Sequence, residues 1–102
     1  YVGDHIEAID TILHKGKIGE SYNIGGGNEL SNLNLIKEII KIFNLNDLVL
    51  NINDYVDFVK DRKGHDYRYS VDYSKLKSQL NWQPKANFSL SLKKTINWYK
   101  NN

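Results

Sequence analysis

The sequence predicts an α+β fold in which four helices accompany a few short strands. Three observations predict it. Isoleucine and leucine recur at helical spacing, most clearly at Ile6, Ile9, Ile12 and Leu13 and again at Leu35, Ile36, Ile39, Ile40 and Phe43. Between such windows lie brief β-branched and aromatic runs at 21–24, 49–52, 56–59 and 68–71. Clusters of Gly, Asn, Asp and Ser punctuate the chain, and its single proline is Pro84.

The first helix occupies residues 5–14. Asp4 and Glu7 have the spacing of a capping box, in which Asp4 caps the helix start and Glu7 reaches back to its backbone N–H. Gly16 lies just beyond the last apolar position. The strand at 21–24 is stopped by Gly25, Gly26 and Gly27, which read as a flexible turn. Ser31 or Asn32 caps the second helix, whose apolar stripe is wide. In the strand at 68–71, Tyr69 and Val71 share one face. Asp72 caps a short helix through Leu76 and Leu80, and Asn81 suits the left-handed position after it. Ser89 caps the last helix through Leu92, Ile96 and Tyr99, with Phe88 as a hydrophobic staple. Trp82 and Trp98 read as packing anchors rather than stacking platforms for bases.

Composition narrows the function. With 102 residues, 40% hydrophobic and 12% aromatic, the chain can bury one small core, and the aromatic content argues against disorder. A net charge of +2 with dispersed lysines argues against nucleic acid. The absence of cysteine removes disulfides and thiolate metal sites, and it fits a reducing cytoplasm. No run is long and apolar enough for a membrane span, and no signal peptide opens the chain. His5 and His14 lack ligand neighbours at metal spacing.

The chemistry concentrates in Asp61-Arg62-Lys63-Gly64-His65-Asp66-Tyr67-Arg68-Tyr69, a polar loop after Val56, Phe58 and Val59. A glycine hinge can bring an arginine fork and an imidazole onto one ligand, and guanidinium matches phosphate oxygens in both charge and geometry. The loop is therefore a candidate anion or phosphate site. A solvated turn whose charges pair with one another is the alternative. Two other patterns carry less. Gly25-Gly26-Gly27 fails Gly-x-Gly-x-x-Gly spacing, because Leu30 stands where the third glycine belongs. Tyr73 and Lys77 imitate a Tyr-x-x-x-Lys pair on one helix face, and read as a chance match.

This loop resembles the Asp-Arg-Pro-Gly-His-Asp-x-Arg-Tyr segment of dTDP-glucose 4,6-dehydratases, extended short-chain dehydrogenase/reductase enzymes that act on nucleotide sugars. Further matches run collinearly along the chain. Tyr1-Val2-Gly3-Asp4-His5 resembles the family's Tyr-Val-x-Asp-His helix start, and Glu20 to Gly26 its Glu-x-Tyr-Asn-Ile-Gly-Gly strand. Leu80-Asn81-Trp82-Gln83-Pro84 is similar to its Leu-Gly-Trp-x-Pro turn. Thr95-Ile96-Asn97-Trp98-Tyr99 is similar to its terminal Thr-Val-x-Trp-Tyr helix.

The resemblance implies a small substrate-binding portion, the C-terminal third, of a Rossmann-type α/β enzyme. All 102 residues would form one such domain, with the N-terminal NAD-binding Rossmann domain absent. By the same resemblance Arg62 and His65 contact the nucleotide diphosphate of the sugar donor. Asp61, Lys63 and Gly64 complete that segment, and Asn32 contacts the nucleotide or simply caps its helix. Lys63 replaces the family's proline and Tyr67 an arginine, so the loop is less rigid and loses one positive contact. The intact enzyme would oxidise C4 of the hexose with bound NAD, eliminate water across C5–C6 and return the hydride to C6. It would be a cytoplasmic homodimer binding a dTDP-sugar, and the isolated chain would bind no NAD and be inactive. Another nucleotide-sugar enzyme, such as an epimerase, a decarboxylase or a GDP-mannose dehydratase, is the near alternative. A non-catalytic module that binds a protein through an exposed apolar face is the distant one.

Overall fold

The computed structural model describes residues 1–43 and 52–102. Its regular elements are α1 (Val2–Lys15), α2 (Asn32–Phe43), a 3-10 turn (Ile52–Asp54), α3 (Ser74–Leu80) and α4 (Phe88–Asn101). They fall into two compact units, residues 1–29 with 70–92 and residues 30–69 with 93–102.

The first unit is organised by α1 and α3. Ala8 of α1, Leu76 of α3 and Trp82 are buried together, and Ile12, Tyr22, Ile24 and Tyr73 pack around them. Ala8 has no exposed surface, and so small a side chain permits close approach to α3. Tyr73 meets Trp82 edge-on, with ring centroids 6.3 Å apart. The short helix α3 ends as its sequence dictates. Asn81 adopts φ 54°, ψ 35°, and its N–H donates to the Lys77 carbonyl at 3.1 Å. Asp72 accepts from the Ser74 N–H and hydroxyl, each at 2.8 Å, and so caps α3 in function although Tyr73 is its formal cap residue.

Polar clasps bind the connecting segments of this unit. Lys75 reaches the Glu20 carboxylate at 2.7 Å and the Ser21 carbonyl at 2.8 Å, and it lies over the Tyr22 ring. Tyr22 accepts from the Lys17 N–H and donates to Gln79, both at 3.2 Å. The ammonium of Lys75 also holds the Glu20 carboxyl below its ordinary range, and the Ser74 N–H does the same for Asp72.

Two caps differ from expectation. Tyr1 is the cap residue of α1, which starts at Val2, so Asp4 lies inside the first turn. Its carboxylate instead accepts the backbone N–H groups of Lys85 and Ala86 at 3.2 and 3.0 Å, while Glu7 pairs with the Lys85 ammonium. A pair that resembles a local capping box thus tethers a distant loop. For α4 the cap is Asn87, whose side chain accepts the Leu90 N–H at 3.1 Å; Ser89 and Phe88 are already helical. The terminus of α2 follows the sequence, since Ser31 Oγ accepts the Asn34 N–H at 3.2 Å.

The strands expected at 21–24, 56–59 and 68–71 do not form, and among the described residues the fold is helical. The expectation at 49–52 lies outside the described residues except for Ile52, which begins the 3-10 turn. A β-strand exists through its ladder, and among the described residues these runs complete none. Phe58, Val59 and Tyr69 are more than 80% exposed, so no second layer covers them. Gly25 nevertheless passes close to Val71: a Cβ there would stand 2.5 Å from the Val71 carbonyl oxygen. That glycine is required by close backbone approach, not by a flexible turn.

In the second unit, the apolar positions Leu35, Ile36, Ile39 and Ile40 of α2 are partly buried. Lys100 lies 4.4 Å from the centroid of the Phe43 ring. Ile96 is buried, but Trp98 is 60% exposed and stacks edge-on to Tyr99. Trp82 is therefore the packing anchor that its sequence suggests, and Trp98 is not one within this chain.

Candidate functional site

The loop after residue 59 belongs to the second unit and is exposed throughout 61–69. One carboxylate organises it. Asp61 Oδ1 accepts the Arg62 N–H at 2.8 Å and lies 2.8 Å from His65 Nδ1. The chain returns to Asp61 through Gly64, whose φ of +75° is a left-handed value that side chains resist. A Cβ at Gly64 would meet nothing within 4 Å, so the constraint there is torsional rather than steric crowding.

Chemistry fixes the ring of His65. An ionised carboxylate only accepts, so the Nδ1 facing it must carry the proton. That leaves Nε2 as the nitrogen available to a ligand. The His65 side chain retains 38% of its exposure, enough for contact from solvent. The structure thus gathers Asp61, Arg62, Gly64 and His65 into one turn. Lys63 lies within the turn and is exposed. Asn32, the first residue of α2, stands outside this hydrogen-bonded turn, and its neighbour Ser31 supplies the helix cap.

The organising role of Asp61 was not read from the sequence. The Asp-x-x-x-His spacing was its available signal, because it lets a carboxylate meet an imidazole across one turn. Elsewhere, Tyr73 is committed to Trp82 and lines Gly27, which is a packing role. At Gly25 the Val71 carbonyl occupies the place of a side chain, which gives that glycine a backbone-packing role. Among the described residues no group of three or more His, Cys, Asp or Glu side chains could hold a metal ion. Nor is any described helix long and apolar enough to cross a membrane.

The chain belongs to the family described as GDP-mannose 4,6 dehydratase, whose model matches residues 1–95. Within it, the chain is 43% identical to a probable dTDP-glucose 4,6-dehydratase of Sinorhizobium fredii, matching 100% of this chain and 29% of that protein. It is 42% identical to the dTDP-glucose 4,6-dehydratase of Haemophilus influenzae, over 97% of this chain and 31% of that one. The crystal structure of dTDP-glucose 4,6-dehydratase from Bacillus anthracis in complex with NAD superposes with a TM-score of 0.84 at 40% identity. That match covers 99% of this chain and 30% of the Bacillus protein. The chain therefore spans about a third of the length of the relatives it matches.

Proposed function

We propose that this chain is the C-terminal, substrate-binding portion of a dTDP-glucose 4,6-dehydratase, and that its loop 61–65 grips the nucleotide diphosphate. The observation that carries the reading is the exposed turn in which Asp61 ties together the backbone of Arg62 and the ring of His65. The relatives named above, all dTDP-glucose 4,6-dehydratases, support the substrate. Arg62 supplies a planar fork for two phosphate oxygens, His65 an additional polar contact, and Lys63 a flexible point charge. Asn32 lies at the start of α2, where backbone N–H groups already favour an anion.

In this reading the hydride-transfer and acid–base groups, and the NAD site, lie in the part of the protein that corresponds to the rest of its relatives. The run at 21–24 would join a sheet of that part, which restores the α+β character that the chain alone does not show. The intact protein would convert dTDP-glucose to dTDP-4-keto-6-deoxyglucose as a cytoplasmic homodimer, and this chain alone would be inactive.

Calorimetric titration of the purified chain with dTDP-glucose, beside Arg62→Ala, tests the reading. Binding that is lost in the variant supports it; binding that ignores Arg62 defeats it. The family description names a GDP-sugar enzyme, so UDP- and GDP-sugars belong in the same titration. A preference for either moves the assignment to a sister activity.

A further inference from the structure

The geometry points to Asp61 as a positioning residue for the ligand-facing edge of His65, an inference that rests on the nucleotide-sugar reading of the loop. Three observations meet at one oxygen. Asp61 Oδ1 receives the Arg62 N–H, which fixes the backbone from which the guanidinium projects. The same oxygen lies 2.8 Å from His65 Nδ1, which selects the tautomer and the plane of the ring. Gly64, at φ +75°, turns the chain so that the His65 ring returns to it. The arrangement follows the rule seen around metal-bound histidines, where a carboxylate on one ring nitrogen orients the other. Here the oriented nitrogen is Nε2 and the ligand is an anion. A neutral ring offers Nε2 as an acceptor for a ligand hydroxyl, whereas a protonated ring donates from it to a phosphate oxygen. The carboxylate of Asp66, next to His65, takes no part in these bonds and serves as a control.

Nitrogen-15 spectra of the histidine rings in the full 102-residue chain, recorded at about pH 8 where an ordinary histidine is neutral, read the tautomer directly. The expected result is an Nδ1–H ring at His65 in the parent and in Asp66→Asn. Asp61→Asn keeps it, because the amide oxygen still accepts. Asp61→Ala releases the ring to the Nε2–H form that a solvated imidazole prefers. In parallel titrations with dTDP-glucose, Asp61→Ala weakens binding about tenfold, the worth of one oriented hydrogen bond, and Asp61→Asn recovers most of it.

An Nε2–H ring at His65 in the parent, or a tautomer unmoved by Asp61→Ala, overturns the inference. So does binding that falls in Arg62→Ala but not in Asp61→Ala, a result that leaves the site itself standing. Absent binding, or binding indifferent to Arg62, removes the site and the inference with it.

Discussion

Leu76→Ala and Leu13→Ala are the same chemical change on two helices, and the structure assigns them opposite outcomes. Leu76 has no exposed surface and packs against Ala8 and Trp82, whereas Leu13 is 77% exposed. Removing the Leu76 side chain beyond Cβ loses about 2 kcal/mol of transfer free energy, at roughly 0.8 kcal/mol per buried carbon group. Cavity formation adds to this, and Leu→Ala changes in cores cost about 2–5 kcal/mol in total. The core beside Leu76 is small and includes the indole of Trp82, which cannot readily collapse into the gap, so about 3 kcal/mol is expected. Chains of this size have about 5–15 kcal/mol to lose. With a urea dependence of about 2 kcal/mol/M, the midpoint falls by roughly 1.5 M. Leu13→Ala stays within about 0.5 kcal/mol. Urea titration followed by circular dichroism compares the two. Equal losses, or a Leu76→Ala loss below about 1 kcal/mol, would falsify this account of the core.

Three further outcomes follow from particular contacts. Asn87→Ala costs about 1 kcal/mol in the same urea assay and Ser89→Ala almost nothing, because Asn87 makes the cap of α4. Gly64→Ala strains a left-handed position by about 1–2 kcal/mol, so the urea midpoint falls by roughly 0.5–1 M and dTDP-glucose binding weakens as the turn distorts. Acid weakens the chain through Glu20 and Asp72, whose carboxyls are held below their ordinary range by Lys75 and Ser74. A lowered folded-state pKa gives stability that is full above the unfolded value, near pH 4, and lost as pH falls through the folded one. Urea midpoints between about pH 6 and pH 3 should therefore fall less for Glu20→Gln than for the parent.

The sequence carried what nearest neighbours decide. Helical spacing placed all four helices, Ser31 capped α2, and Asn81 took the left-handed position expected of it. Local patterns misled where a distant partner claimed the group. Asp4 and Glu7 have capping-box spacing, yet their carboxylates go to Lys85 and Ala86, far along the chain. The run at 21–24 has suitable residues but forms no ladder among the described residues, and no single segment can supply one. At the candidate site, residue types pointed to Arg62 and His65 as the groups suited to an anion. The hydrogen bonds that make Asp61 their common anchor needed coordinates, because spacing permits that contact without requiring it.

The division of the first unit between two separated stretches bears on how the chain matures during synthesis. Ala8 and Ile12 leave the ribosome long before Leu76 and Trp82, and those four meet in one core. At about 5–20 residues per second, α1 waits several seconds for its partners, and a solitary helix of 14 residues is marginal in water. A nascent chain therefore displays Ala8 and Ile12, later covered by Leu76 and Trp82, to its surroundings during that interval, an opening for chaperones. Closing the ring of chain between the two stretches costs entropy that grows only slowly with length, about 0.6 kcal/mol for each doubling. The stretch from 30 to 69, with the candidate loop near its end, can thus lengthen or shorten at little cost to the core that brackets it in sequence.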